Sequence, residues 1–260
     1  MMKSEPAILS KGIKTPLAGL LRKGLDFILP PLCFSCRGAV ETQGGLCVAC
    51  WSTLRFITRP HCEVCGYPFP HQMPGGMLCA SCHRKKPVYD RALAAIAYNP
   101  ASRPLILSFK YGERTEGLKT MARWLKSAGA ELLPETGLII PVPLHPRRLW
   151  QRRFNQSALL ALALAKATGK AVDVLALSRK KNTRSQGGLN RTQRHRNVWA
   201  AFQVPGNKIE RIRGRHILLV DDVLTTGATA ENCARALKKA GADKVFVLTL
   251  ARVVEPLRRL

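Results

Sequence analysis

At 260 residues, with 46% hydrophobic and 22% charged side chains, the chain is long enough for one substantial core plus a small module, and its composition excludes disorder as the default state. Lysine and arginine outnumber aspartate and glutamate by 42 to 16, a formal charge of +26, so the surface attracts polyanions, with nucleic acid the first candidate. A basic surface serving only solubility, or a strongly anionic small substrate, is the alternative reading of that charge.

In residues 1–32, charges at Lys11, Lys14, Arg22, Lys23 and Asp26 interrupt any signal-peptide-like apolar run. No stretch there reaches the roughly 18 apolar residues that a membrane helix needs. The expectation is a cytoplasmic protein with no membrane insertion. Leu17, Leu20, Leu21, Leu25 and Ile28 recur near helical spacing ahead of Pro30-Pro31. A basic amphipathic helix within residues 1–32, packed on the module that follows, is predicted.

Eight of the nine cysteines form four C-x-x-C pairs: Cys33/Cys36, Cys47/Cys50, Cys62/Cys65 and Cys79/Cys82. Each pair is a turn that aims two sulfurs at one point, and two turns complete a closed tetrahedral zinc site. Residues 33–86 therefore read as a double zinc ribbon holding two structural Zn²⁺ ions. Sequential pairing is the primary model and interleaved pairing the alternative. Four thiolates leave no open coordination position, which argues for structure rather than catalysis. His61, His71 and His83 are not needed as ligands. On this reading Cys62→Ser unfolds the ribbon and spares the downstream core, while Cys233 is a small packing residue.

The composition changes near Lys85-Lys86-Pro87, so residues 87–260 are expected to form the main domain. A strand is predicted over Arg91–Tyr98, helices over 105–111 and 118–130, and a core strand over 138–143 whose prolines mark its exit from the sheet. A basic loop is expected from His145 to Gln156, then an alanine- and leucine-rich helix over 157–168. From Arg147 to Arg196 thirteen Lys/Arg stand against one acid, Asp173. Within that stretch, residues 178–191 combine Gly187-Gly188 with turn residues and few apolar anchors, which predicts a mobile flap. Guanidinium donors closing over an anion could stabilise it and exclude water.

The segment His216-Ile217-Leu218-Leu219-Val220-Asp221-Asp222-Val223-Leu224-Thr225-Thr226-Gly227-Ala228-Thr229 is the most informative. Residues 217–220 read as a central strand buried on both faces of a parallel sheet, ending at the acidic pair. Thr225, Thr226, Gly227, Ala228 and Thr229 are short enough for backbone N–H groups to approach an anion at the start of the next helix. Asp221 and Asp222 suit two vicinal hydroxyls, with a magnesium ion bridging nearby ligand oxygens. Such a segment can hold a ribose phosphate. A nucleotide-hydrolase reading would require a G-x-x-x-x-G-K-[ST] loop, which the chain lacks. A final strand over 244–251 completes an α/β alternation with a parallel sheet and crossover helices.

This pattern resembles the 5-phosphoribosyl-1-diphosphate (PRPP) signature of type I phosphoribosyltransferases. Leu107-Ser108-Phe109-Lys110-Tyr111-Gly112, Pro141-Val142-Pro143-Leu144-His145-Pro146-Arg147-Arg148, Phe154-Asn155-Gln156 and the stretch from Arg184-Ser185-Gln186 to Asn197 add a closer likeness. Taken in this order, behind a double zinc ribbon, they resemble the ComF family of competence proteins over residues 17–253. The resemblance implies a type I phosphoribosyltransferase-like α/β fold, a role in DNA uptake and natural transformation, and affinity for single-stranded DNA, with a competence helicase as a candidate partner. It also implies that Asp221 and Asp222 hold the ribose hydroxyls as the catalytic pair, and that residues 225–229 hold the 5-phosphate. Arg147, Arg148, Lys181 and Arg184 would hold the diphosphate, with Mg²⁺ bound alongside PRPP. Lys110 and Tyr111 could line the pocket. Arg153, standing where the family often has glycine, is a further possible pocket residue.

Three functions follow as expectations: a PRPP-binding phosphoribosyltransferase-family protein of DNA uptake, a non-catalytic nucleic-acid adaptor that uses the pocket as a sensor, or a nucleotide-salvage phosphoribosyltransferase with an unidentified acceptor. Aromatic residues are only 6% of the chain, and no stacking platform stands out. Salt-sensitive, weakly sequence-specific binding to single strands is therefore expected.

Overall fold

The computed structural model describes residues 30–71, 76–111, 115–179 and 201–254. The predicted helix within 1–32 and the body of the predicted flap, including Lys181 and Arg184, lie outside the described residues. In chain order the elements are α1 (Val48–Ser52), α2 (Ala80–Arg84), β1 (Arg91–Tyr98), α3 (Arg103–Tyr111), α4 (Leu118–Ala128), β2 (Leu138–Pro141), α5 (Pro146–Arg152), α6 (Gln156–Thr168), β3 (Ser178–Arg179), β4 (Phe202–Gln203), a 3-10 turn (Gly206–Arg211), β5 (His216–Leu224), α7 (Ala228–Lys239) and β6 (Lys244–Val253).

The main sheet is parallel, in the order β1-β6-β5-β2, with Ile217 opposite both Val245 and Leu138. Its strands read as near-continuous apolar runs because helices cover both faces. The two-residue period sorts them: Ile217 and Leu219 pack on the α7 side with Cys233 and Leu237, whereas Leu218 and Val220 pack on the α3, α4 and α6 side with Phe109, Leu125 and Leu160. Each fully buried leucine or isoleucine contributes about 1.5–3 kcal/mol. Cys233 is fully buried in this packing, as expected of a small core residue.

Two differences from the predicted elements bear on the site. The basic segment after β2 is not all loop: Pro146 sits in the first turn of α5, and His145 caps it by accepting from the Arg147 N–H at 3.2 Å. Strand β5 continues through the acidic pair to Leu224, because β6 still pairs with it out to Arg252. Its other neighbour does stop. The β2 register ends at Pro141 opposite Val220, so beyond Val220 β2 no longer pairs with β5.

The cysteine pairs assemble sequentially, Cys33/Cys36/Cys47/Cys50 and Cys62/Cys65/Cys79/Cys82, with the four sulfurs of each set within 4.8 Å of one another. The donor set fits zinc. Knuckle N–H groups of Gly38 and Cys50 point at Cys36 and Cys47 Sγ, both at 3.4 Å, as they do around thiolates. Desolvation and the crowding of neighbouring sulfurs push Cys50 up to about 12 and Cys82 higher still, a repulsion that a bound dication removes. No histidine joins either set among the described residues.

The ribbons straddle the sheet edge. Arg55–Ile57 between them runs antiparallel beside β1, with Ile57 N–H donating to the Ala95 carbonyl at 2.9 Å and Ala97 N–H to that of Arg55 at 2.8 Å. This covers an edge that would otherwise offer unpaired backbone groups. On one face Phe34, Trp51 and Phe56 cluster around Trp124 of α4, with ring centroids 5.5–6.1 Å from it. On the other face, Cys62, Cys65 and Cys82 are buried in the same core as Ile217, Leu219 and Cys233. The second ribbon is thus part of the main core. A Cys62 substitution is accordingly expected to reach that core as well.

Candidate functional site

The acidic pair lies where β5 loses its β2 neighbour, and residues from α3 and α6 converge on it. Asn155 caps α6, accepting from the Ser157 N–H at 3.0 Å, and its own amide donates to the Val142 carbonyl at 3.0 Å. That fixes the start of α6 against the chain leaving β2. The next two residues use the position. Gln156 Nε2 donates to the Lys110 carbonyl at 2.9 Å, and Ser157 Oγ donates to Asp221 Oδ1 at 2.8 Å. Lys110 Nζ in turn reaches Asp222 Oδ2 at 3.1 Å.

The two carboxylates are not equivalent. Desolvation, then the neighbouring Asp222 charge, push Asp221 up to about 7, against the opposing pull of the Ser157 hydroxyl, the Asp222 N–H and Lys110. Burial works against the Lys110 charge, but attraction to Asp222 and then Asp221 holds its ammonium above the usual lysine range.

Beyond Leu224, Thr225 and Thr226 are half-buried and Gly227 turns the chain into α7 with φ of 81°. The left-handed backbone there favours glycine over any residue with a side chain, and the Tyr89 hydroxyl stands in ordinary contact distance of the position a Cβ would take. Ala228 N–H points to Thr226 Oγ1 at 3.5 Å, and Thr229 is half-buried in the first turn. All five predicted cradle residues thus lie at the N-terminus of a twelve-residue helix, beside the carboxylates.

Of the predicted diphosphate ligands, Arg147 is exposed on α5 and Arg148 half-buried beside it. Sequence reasoning passed over Arg179 at the base of the flap. Its guanidinium is buried, lies 5.3 Å from the Phe202 ring centre, and is held below the usual arginine range by desolvation and then by the Arg148 charge, with Asp221 attracting it. Strands β3 and β4 pair antiparallel, with Arg179 opposite Phe202. Asn155, Gln156 and Ser157 were also passed over as site residues. An asparagine ahead of an alanine-leucine run is a cap signal, but nothing local shows which carboxylate the serine after it will meet. Tyr111 ends α3 and Arg153 follows α5.

Comparison with known proteins agrees with this architecture. Residues 24–85 match the double zinc ribbon domain and residues 155–258 the phosphoribosyl transferase domain. Over 232 residues the chain is 34% identical to the DNA utilization protein YhgH of Shigella flexneri, covering 87% of this chain and 99% of that protein. It is 32% identical to Competence protein F of Haemophilus influenzae over 232 residues, covering 85% and 96%. The chain belongs to the ComF family. The orotate phosphoribosyltransferase from Aeropyrum pernix aligns with a TM-score of 0.36 at 18% identity, covering 61% of this chain and 68% of that one.

In this ComF-family chain Arg153 adopts φ of 63°, the left-handed region that glycine takes without cost. Its side chain therefore sits on a strained backbone. Arg153→Gly should raise the melting temperature by roughly 1–3 °C in scanning calorimetry, the strain relieved slightly exceeding the added freedom of the unfolded chain. A lower melting temperature would mean that contacts of the arginine side chain outweigh the strain.

Among the described residues, no helix is long and apolar enough to cross a membrane.

Proposed function

We propose that the protein binds PRPP with its magnesium ion and also holds single-stranded DNA, acting in the cytoplasm in the handling of imported or scavenged DNA. Asp221 and Asp222 accept hydrogen bonds from the two ribose hydroxyls. Thr225, Thr226, Gly227, Ala228 and Thr229 offer backbone N–H and hydroxyl donors to the 5-phosphate. Arg147 and Arg148, joined by Arg179 and by Lys181 and Arg184 of the flap, meet the diphosphate, while Lys110, Tyr111 and Arg153 line the approach. When bound with PRPP, a magnesium ion would neutralise charge on the diphosphate.

The observation that carries this reading is the convergence at the open edge of β5: a desolvated carboxylate gripped by Ser157, its neighbour paired with Lys110, and a glycine-led helix start beside both. A dipeptide that only ended a strand would need no such support from two other elements. The names of its relatives, a DNA utilization protein and a competence protein, support the DNA side, as does the +26 charge.

If transfer occurs, the bond between the anomeric carbon and the diphosphate oxygen breaks as the acceptor's lone pair forms the new one. The arginines then stabilise charge building on the leaving group. If it does not, the same pocket serves as a PRPP sensor.

Titration calorimetry with Mg²⁺-PRPP on zinc-loaded protein should give saturable heat at one site per chain. Absence of heat from folded protein refutes the PRPP reading. A diphosphate-release assay with a panel of bases then separates enzyme from sensor.

A further inference from the structure

We infer that Arg252 is the counter-ion of the zinc tetrathiolate that Cys62, Cys65, Cys79 and Cys82 form, so that zinc loading of the second ribbon fastens the exit of β6 to it. This rests on the fit of that cluster to zinc and needs neither PRPP nor DNA.

Arg252 is 9% exposed, at the end of a strand buried from Val245 onward. A guanidinium in such a place calls for an anion, because burial strips the water that would solvate its charge. Among the described residues no carboxylate supplies one. Both terminal nitrogens go instead to Cys65, one donating to the carbonyl at 2.6 Å and the other approaching Sγ at 3.4 Å, while Nε is buried without a partner. The centre of the group lies 5.5 Å from the middle of the Tyr67 ring. A carbonyl, a ring face and a neutral thiol compensate a buried cation only weakly. Four thiolates around one Zn²⁺ carry a net double negative charge, and Arg252 then faces the anion it otherwise lacks.

The first cluster provides the contrast. Cys36 and Cys47 receive the backbone N–H groups of Gly38 and Cys50, and Cys36 is exposed, so water shares its charge. Cys62, Cys65 and Cys82 are buried, and there the protein itself has to answer the charge. The placement has a mechanical consequence as well. Arg252 stands opposite Leu224 of β5, the residue before Thr225, and Tyr67 from the same knuckle donates to the Val254 carbonyl at 2.7 Å. The knuckle thus holds the end of β6 at two points.

The test is zinc competition against a chromophoric chelator in a Cys36→Ser background, where the second site alone is expected to hold metal. Arg252→Met should weaken zinc binding by about 10- to 100-fold, and Arg252→Lys, which keeps the charge, by less than about 5-fold. Cobalt in place of zinc adds a spectroscopic reading. Arg252→Met should keep the tetrahedral d–d bands, which shows the site folded, while its sulfur-to-cobalt charge-transfer band moves to longer wavelength, because a thiolate that has lost a cationic donor gives up an electron more readily. Unchanged zinc affinity in Arg252→Met, or an equal loss in the methionine and lysine variants, overturns the inference, since packing and not charge would then account for the arginine. If Arg252→Met does not fold, the lysine variant decides: near-native zinc affinity supports the counter-ion, and a loss beyond about 10-fold overturns it. A Cys36→Ser chain that takes up no zinc at all would remove the zinc reading of the second cluster, and this inference with it.

Discussion

Asp221→Asn should weaken Mg²⁺-PRPP binding by at least about 10- to 100-fold while raising the thermal stability of the ligand-free protein at pH 8. Both effects come from one carboxylate. In the ligand-free fold Asp221 is desolvated beside Asp222, which lifts it from an ordinary 3.8 to about 7. The folded chain therefore binds a proton more tightly than the unfolded chain does. Stability from this group is fully present below about pH 4, declines as pH rises, and is gone above about pH 7. Asparagine carries no charge to desolvate, yet its carbonyl oxygen still accepts from Ser157 Oγ and the Asp222 N–H, and Lys110 keeps Asp222. The variant should be more stable at pH 8 by something on the order of 1–4 kcal/mol, a rise of roughly 3–10 °C in melting temperature, with the difference vanishing near pH 4. Its oligonucleotide affinity should be unchanged. A variant less stable than the native chain at pH 8 would falsify the account of a carboxylate held at a cost for its ligand.

The second large effect separates the two zinc sites. Cys65→Ser should lower the melting temperature of the whole chain by more than about 10 °C and abolish Mg²⁺-PRPP binding, whereas Cys36→Ser should lose one zinc per chain, become protease-sensitive between residues 33 and 50, and still bind PRPP. The difference lies in what each cysteine touches. Cys36 is exposed. Cys65 is buried beneath β6, where the Arg252 guanidinium donates to its carbonyl at 2.6 Å and approaches its sulfur at 3.4 Å. Gly66, turned at φ of 67°, lets that knuckle lie directly on the Ala92 backbone of β1; a Cβ there would come within 2.5 Å of the Ala92 carbonyl oxygen. Tyr89 follows from the same ribbon, buried in the same core and standing beside Gly227 at the head of α7. Loss of the second cluster therefore disturbs the core beneath the start of α7, where the proposed phosphate site lies. Zinc content, scanning calorimetry, limited proteolysis and titration calorimetry on both variants check this. Equal behaviour of the two variants would show that the ribbons are interchangeable supports.

Much of the molecule was legible beforehand because its signals are local. Strand β1 was read to the residue from an alanine- and leucine-rich run between a boundary and a turn. Helix α6 was placed within one residue at its start, since Asn155 and an alanine-leucine run are enough to start a helix and Gly169 to end it. The cysteine pairs announced two zinc sites by spacing alone. The α5 helix was missed because its density of arginine suggested a solvated loop, although Pro146 after a capping residue was a start signal in plain view. Arg179 was missed because its burial depends on β4, more than twenty residues away.

Short-range chemistry was therefore written in the chain itself: which segments form strands and helices, where four sulfurs can gather, and where a carboxylate pair precedes a small-residue turn. Only the folded arrangement decided that the ribbons clasp both faces of the sheet, that the second cysteine cluster shares a core with the start of α7, and that Ser157 and Lys110 meet Asp221 and Asp222. Those contacts join residues 64 to 187 positions apart, whose partners are chosen by strand order and helix packing. A local pattern states what a residue can bind, but sequence separation carries no information about which distant group the sheet will bring to it.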